Sequence, residues 1–488
     1  MDAQVPASTA DDLHYHSLLE VSALIRARAL SPVALTEAML ARIAALDGRL
    51  GSYTTVLADH ALAAARQAEL ELQAGHWRGP LHGIPIAVKD LCNTVYGPTS
   101  AGMAIHRQHV PSANATVVER LDQGGAVILG KLSMTEGALS EHHPKMKTPI
   151  NPWLASAWTG VSSSGSGVAT AAGLCFGSLG SDTGGSIRLP SAANGLTGIK
   201  PTWGRVSRHG VFALADSLDH VGPIARNVGD AAALLQLIAG HDRRDATSLD
   251  APVPDYLAAL GGSIAGLRIG IDERFIFDDV DPQVAAMLRA AISAFEALGA
   301  RLVPMRFPSV DDLWPHWLSI CSTECAIAHR DTFPSRRDEY GAALAGMLDI
   351  GHAVSGIQLA AALQYRLTLH GQVRRAMLDC DLLLMPTVNG TVADARDWNT
   401  PIAAEGAADG VSDSGRPLMA RARRTRYTAV FDMTGHPTLS LNGGFDRQGV
   451  PLGFQLVAHH LDESVLLKAG HAFQSITPWH TRHPDLRA

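Results

Sequence analysis

Between residues 17 and 75, apolar side chains recur every three or four positions through SLLEVSALIRARAL, SPVALTEAMLARIAALD and ADHALAAARQAELELQAG, which is the spacing of amphipathic helices. Ser31 is placed to cap the second helix, Pro32 suits its first turn, and a glycine closes the third. The period then shortens. GIPIAVKD (83–90) and GAVILGK (125–131) are compact apolar runs with the helical segment NATVVERLDQ between them, so they predict strand, helix and parallel strand. A second unit of this kind runs from GLRIGID (266–272) through a helix over 282–298 to RLVPMRF (301–307). Residues 311–378 predict helices rich in Trp, His and Met, suited to a cap or pocket wall rather than to sheet. DLLLMPT (381–387) and PLGFQLVA (451–458) predict returning strands, and the polar stretch 389–418 between them has no period and predicts a long mobile loop. No internal repeat is visible. The pattern as a whole implies a mainly parallel α/β sheet.

Composition narrows the function. The 488 residues are 46% hydrophobic, 18% charged and 5% aromatic, which is enough apolar content for a large core. Forty basic and forty-seven acidic residues leave a formal charge of -7, with Lys and Arg scattered, so there is no basic footprint for nucleic acid and a small neutral substrate fits better. The opening MDAQVPASTADDLHYH lacks the apolar core of a secretory signal, and no uninterrupted apolar span approaches membrane length. These features predict a cytoplasmic protein with no membrane partner. Five dispersed cysteines fit a reducing compartment, and Cys321 and Cys325, on one helix face, predict core packing. Twenty-two histidines include the pairs His142-His143 and His459-His460, but neither sits in a metal-ligand spacing, so solvated or packed imidazoles and no metal are expected.

GAVILGKL (125–132) nearly matches a phosphate-binding loop, yet Leu132 replaces the hydroxyl that meets magnesium and the apolar run reads as buried strand. Neither a GxSxG elbow nor an SxxK motif occurs. Lysine usage is more informative. Only six of the forty basic residues are Lys, and one, Lys89, ends the apolar run Ile84–Val88, where desolvation would favour a neutral amine; a lysine that merely caps a strand end is the plainer alternative. Asp90 follows it directly, and extended neighbours point to opposite faces, so no ion pair between the two is expected. Residues 177–198, GSLGSDTGGSIRLPSAANGLTG, hold many glycines and serines around one arginine, a composition that suits either a linker or backbone held against a ligand.

Lys89, TGVSSSGSG (159–167) and DTGGSIR (182–188) together resemble the amidase signature family, in which a central serine precedes the nucleophile by 24 positions, as Ser162 precedes Ser186 here. The resemblance continues through GLTGIKPTWGRVSRHG (195–210) and LDHVGPIARNVGDAAALL (218–235), and returns at TGHPTLSLNGG and PLGFQLVAHH. It implies one large α/β domain whose central mixed, mainly parallel sheet is covered by helices on both faces. Its parts would be an N-terminal helical segment (1–75), the core with the catalytic residues (76–310), a variable helical and loop region lining the pocket (311–425), and C-terminal strands and helix (426–488).

The same resemblance implies a serine hydrolase of small amides or carbamates, with Ser186 as nucleophile, Ser162 on a cis peptide as proton relay and Lys89 as general base. Backbone amides of Thr183, Gly184, Gly185 and Ser186 would form the oxyanion hole, Asp182 and Arg188 would brace that loop, and Ser163 would support the triad. No metal or cofactor is implied, the oligomeric state would be monomer or homodimer, and residues 140–158 and 311–420 would line a pocket for a hydrophobic or aryl substrate. The same family contains an amidotransferase subunit that works in a complex on aminoacyl-tRNA, against which the missing basic patch speaks. A catalytically silent small-molecule-binding homologue is the other alternative. Two positions depart from the family pattern: Val161 stands where it has glycine before the relay serine, and Ser164 where it has glycine after the following serine. Ser166 reads as a helix-capping hydroxyl.

Overall fold

The computed structural model describes residues 10–395 and 425–486, so most of the predicted loop at 389–418, from 396 onward, lies outside the described residues. Eleven strands form one sheet among the described residues. They are β1 (Tyr53–Val56), β2 (Pro85–Lys89), β3 (Val127–Leu132), β4 (Gly177–Asp182), β5 (Thr197–Lys200), β6 (His220–Ala225), β7 (Arg268–Ile271), β8 (Arg301–Pro304), β9 (Leu382–Pro386), β10 (Thr438–Phe445) and β11 (Pro451–Ala458). Their order across the sheet is β1-β3-β2-β4-β6-β5-β10-β11-β9-β7-β8.

The sheet is mixed. β2 runs parallel to both β3 and β4, and β7 runs parallel to both β8 and β9. These two arms contain the strand-helix-strand units of the sequence pattern, with helices Thr116–Gln123 and Pro282–Ala297 as their crossovers. Between the arms, β4, β6, β5, β10, β11 and β9 pair antiparallel. Every residue of β4, β5, β6, β9 and β11 is buried, so these strands show no alternation that a sequence could display. Helices cover both faces: Leu439 and Leu441 of β10 meet helix Glu463–Ile476 at Gly470, while Ser440 between them donates to the Arg188 carbonyl of helix Arg188–Asn194 at 3.4 Å.

One expectation changes and one open reading is decided. The N-terminal segment is not wholly helical, because Tyr53–Val56 forms an edge strand antiparallel to β3 between helices Pro32–Leu50 and Ala58–Gln73. Four residues are too few to show a period, and β3 supplies the missing hydrogen-bond partners. The glycine-rich stretch 177–198 is no linker either, since it holds β4, a tight turn, helix Arg188–Asn194 and the start of β5. Its glycines allow close approach: a Cβ at Gly180 would stand 3.0 Å from Ser163 Oγ and from Ile224. GAVILGKL contributes strand β3, as its apolar run predicts. Residues 311–378 contain helices Leu313–Ala328, Ala342–Ala353 and Gly356–Ala376.

Candidate active site

Lys89 closes β2, and β3 and β4 flank it, so the strand's own packing removes its amine from water. The side chain is fully buried, and Nζ donates to Ser162 Oγ at 2.6 Å, Ser181 Oγ at 2.8 Å and Ser163 Oγ at 2.9 Å. Among the described residues no carboxylate pairs with it: Asp90 turns to Lys131 at 3.3 Å and to Ser100, as strand alternation requires. Burial pushes the Lys89 ammonium down to about 7, against weaker opposing pulls from Cys92, Asp219 and Asp182. The amine is therefore poised to exchange a proton near neutrality.

The serine cluster lies across the top of this amine. The Val161–Ser162 peptide is cis, and Ser162 is 1% exposed. Ser163 precedes helix Ser164–Ala171, and its hydroxyl also donates to the Ser181 carbonyl at 3.2 Å. Ser166 is not a cap; it lies within that helix and donates to the Leu179 carbonyl at 2.9 Å, tying the helix to β4. Ser186 sits beyond the turn that leaves β4, is 8% exposed, and makes no hydrogen bond to Ser162 or Lys89 among the described residues. It is the most accessible of the three.

The turn itself is held from inside. Asp182 accepts from the backbone of Gly185 at 2.5 Å, Ile187 at 3.0 Å and Arg188 at 3.3 Å, and receives the Arg188 guanidinium at 3.0 and 2.9 Å. Burial works against the Asp182 charge, but the guanidinium outweighs it and holds that carboxyl well below the usual range. This alters the expected oxyanion donors. The Gly185 N–H is committed to Asp182, whereas the amides of Thr183, Gly184 and Ser186 have no acceptor among the described residues. Their orientation is set by groups that sequence reading did not mark. Trp317 Nε1 holds the Thr183 carbonyl at 2.9 Å, Thr428 Oγ1 holds the Gly184 carbonyl at 2.6 Å, and Asp219 accepts from Thr183 Oγ1 at 2.5 Å. A trans peptide points its N–H opposite its C=O, so the bond from Trp317 turns the Gly184 N–H away from that indole. Gly185, at φ +134°, would place a Cβ 2.7 Å from both Leu189 and Thr428.

Arg188 also donates to Asp432 at 2.8 Å, to the Thr428 carbonyl at 3.0 Å and to Gln455 at 3.3 Å, so one buried cation joins β4, β11 and helix Ala429–Thr434. Arg188→Met is expected to destabilise the chain by about 3–5 kcal/mol in denaturant unfolding, because it strands Asp182 without its cation. A loss below about 1 kcal/mol would show that the guanidinium is dispensable to the fold.

The remaining candidates have structural surroundings. All five cysteines are buried and free. His142 Nε2 meets Ser164 Oγ at 3.0 Å, His143 accepts from the Lys145 amide at 3.0 Å, and His459 and His460 bond to carbonyls. Among the described residues, no three His, Cys, Asp or Glu side chains converge as a metal site, and no helix is long and apolar enough to cross a membrane.

The family model for Amidase matches residues 34–467. A Mycobacterium tuberculosis chain bearing the name amidase AmiD is 44% identical over 99% of both chains. A glutamyl-tRNA(Gln) amidotransferase subunit of Methylococcus capsulatus is 38% identical, over 97% of this chain and 99% of that one. Among solved structures, the peptide amidase of Stenotrophomonas maltophilia superposes with a TM-score of 0.79 at 27% identity, covering 96% of this chain and 98% of that one. A 6-aminohexanoate cyclic dimer hydrolase with substrate bound gives a TM-score of 0.84 at 26% identity, covering 97% and 99%. With a family model spanning most of its length and a relative this similar over nearly all of it, the chain belongs to the amidase family and is a hydrolase of carbon-nitrogen bonds.

Proposed function

We propose that this protein hydrolyses small amides or carbamates through an acyl-enzyme on Ser186, with Ser162 as relay and Lys89 as base. The observation that carries this reading is a fully buried lysine with no carboxylate partner among the described residues, 2.6 Å from the Ser162 hydroxyl. Neutral Lys89 takes the Ser162 proton while Ser162 takes that of Ser186, whose Oγ bonds to the carbonyl carbon. The negative oxygen that forms is met by the amides of Gly184 and Ser186, with Thr183 beside them. The carbon-nitrogen bond then breaks, the proton returns through Ser162 to the leaving nitrogen, and water cleaves the acyl ester. The relay requires the Ser186 hydroxyl to turn onto Ser162 once substrate is seated, as catalytic hydrogen bonds often close only in the complex. Val161 is partly exposed beside Ser162 and packs with an apolar cluster that includes Trp158, Leu189 and Val392, which supports a hydrophobic or aryl substituent.

The experiment is a release assay on anilides, aliphatic amides and aryl carbamates, with wild-type chain and Ser162→Ala. Turnover of at least one class is expected, with kcat falling roughly a thousandfold in the variant and KM little changed, since the relay serves both proton transfers. A variant within a few-fold of wild type would leave Ser162 a structural hydroxyl. The second reading, in which the chain works within a complex to transfer an amide nitrogen to aminoacyl-tRNA, is favoured by the 38% identity to the Methylococcus protein and opposed by the -7 charge. A folded chain inactive on the whole panel would move weight to it or to a non-catalytic role.

A further inference from the structure

Three hydrogen bonds fasten residues 162–165 to the segment 133–142. Thr135 N–H donates to the Ser162 carbonyl at 3.3 Å, Gly165 N–H donates to the Ser133 carbonyl at 2.9 Å, and His142 Nε2 meets Ser164 Oγ at 3.0 Å. The first two are backbone bonds; the third depends on two particular side chains. Ser164 is fully buried at the first position of helix Ser164–Ala171. The preceding residue, Ser163, gives this helix no side-chain cap, because its hydroxyl is engaged with Lys89 and with the backbone of Ser181. A helix start normally relies on such a cap to fix its first turn. Here the residue that would supply it is occupied in the site, and an imidazole from another segment anchors the next residue instead.

We propose that His142 is a positioning residue, holding the start of this helix through Ser164 Oγ so that Ser162 stays within reach of Lys89 Nζ. The inference rests on the reading of Lys89 and Ser162 as base and relay. His142 touches no reacting atom. Burial pushes its imidazole down to about 4, so the ring is neutral at working pH and contributes a hydrogen bond rather than a charge. Ser164 is one of the two departures from the family pattern, and a buried hydroxyl there requires a partner. Ser164 and His142 therefore act as one device.

The test is a double-mutant cycle on the full chain, using a substrate that the release assay identifies and reading kcat, KM, the pH profile and thermal unfolding. His142→Ala and Ser164→Gly are each expected to lower kcat roughly tenfold to a hundredfold with KM within about threefold, because small displacements of reacting groups cost rate more than binding. The double variant should be no slower than either single one. His142→Gln, whose amide reaches where Nε2 stood, should restore most of the rate, and none of these variants should move the midpoint of the pH profile. Additive losses, or wild-type kcat in Ser164→Gly, overturn the proposal, and the latter decides the matter even if His142→Ala does not fold. Lys89→Arg run alongside separates the two readings: if it is active the base assignment fails, whereas if it is inactive beside an unaffected His142→Ala only the positioning role fails.

Discussion

Lys89→Arg is expected to be as inactive as Lys89→Ala, with turnover lower than wild type by roughly 10^2- to 10^4-fold, the range that general base catalysis supplies. Arginine keeps the charge and much of the length but does not release its proton, so a cationic prop would survive the exchange and a base would not. The wild-type rate should rise with pH along a single ionisation centred at about 7 and then level, because burial lowers the Lys89 ammonium to that value and the proposed mechanism uses the neutral amine. The sign follows from desolvation: the charged form is penalised, so the base is populated above the midpoint and lost below it. Measurement of kcat from pH 5 to 10 checks this. A flat profile, or an arginine variant with substantial activity, would remove the proton-transfer role.

Ser186→Ala should abolish turnover, with a loss of roughly 10^4-fold or more, since the proposed mechanism forms the acyl-enzyme on that hydroxyl. Stability should change little, within about 0.5 kcal/mol, because the Ser186 hydroxyl makes no hydrogen bond to Ser162 or Lys89 and the side chain is not wholly enclosed. A serine-directed fluorophosphonate should modify wild type once, at Ser186, and leave the alanine variant unmodified. A mass-mapped adduct on another serine would reassign the nucleophile.

Local spacing carries much of the architecture. The helices before residue 75 are legible because their apolar residues repeat at the helical period, and β2, β3 and β7 because each is a compact apolar run of strand length next to a helical segment. β4, β5 and β6 are not, since Gly, Ser, Thr, His and Asp interrupt their apolar residues, and β1 is too short. The candidate triad comes from the resemblance to the amidase signature family, which its motifs make visible for a different reason. Ser162 and Ser186 stand in two compact motifs on either side of one short helix and strand, so a fixed separation in sequence corresponds to a fixed separation in space.

Which residues could do the chemistry is written in short local stretches: a lysine ending an apolar strand, a serine cluster, and a turn with glycines where backbone must come close. How those groups are tuned depends on packing between distant segments. Asp90 is turned onto Lys131, so it forms no ion pair with Lys89. The Gly185 amide is taken up by Asp182, and the carbonyls of Thr183 and Gly184 are held by Trp317 and Thr428, which lie more than a hundred residues away. Arg188 is enclosed by Asp432 and Gln455 from the far end of the chain. These partners carry no motif, because a hydrogen bond to a carbonyl or a carboxylate demands only a donor at the right place. The depressed Lys89 ammonium has the same origin: desolvation is a property of everything packed around a group, so it exists only once the sheet has closed over it.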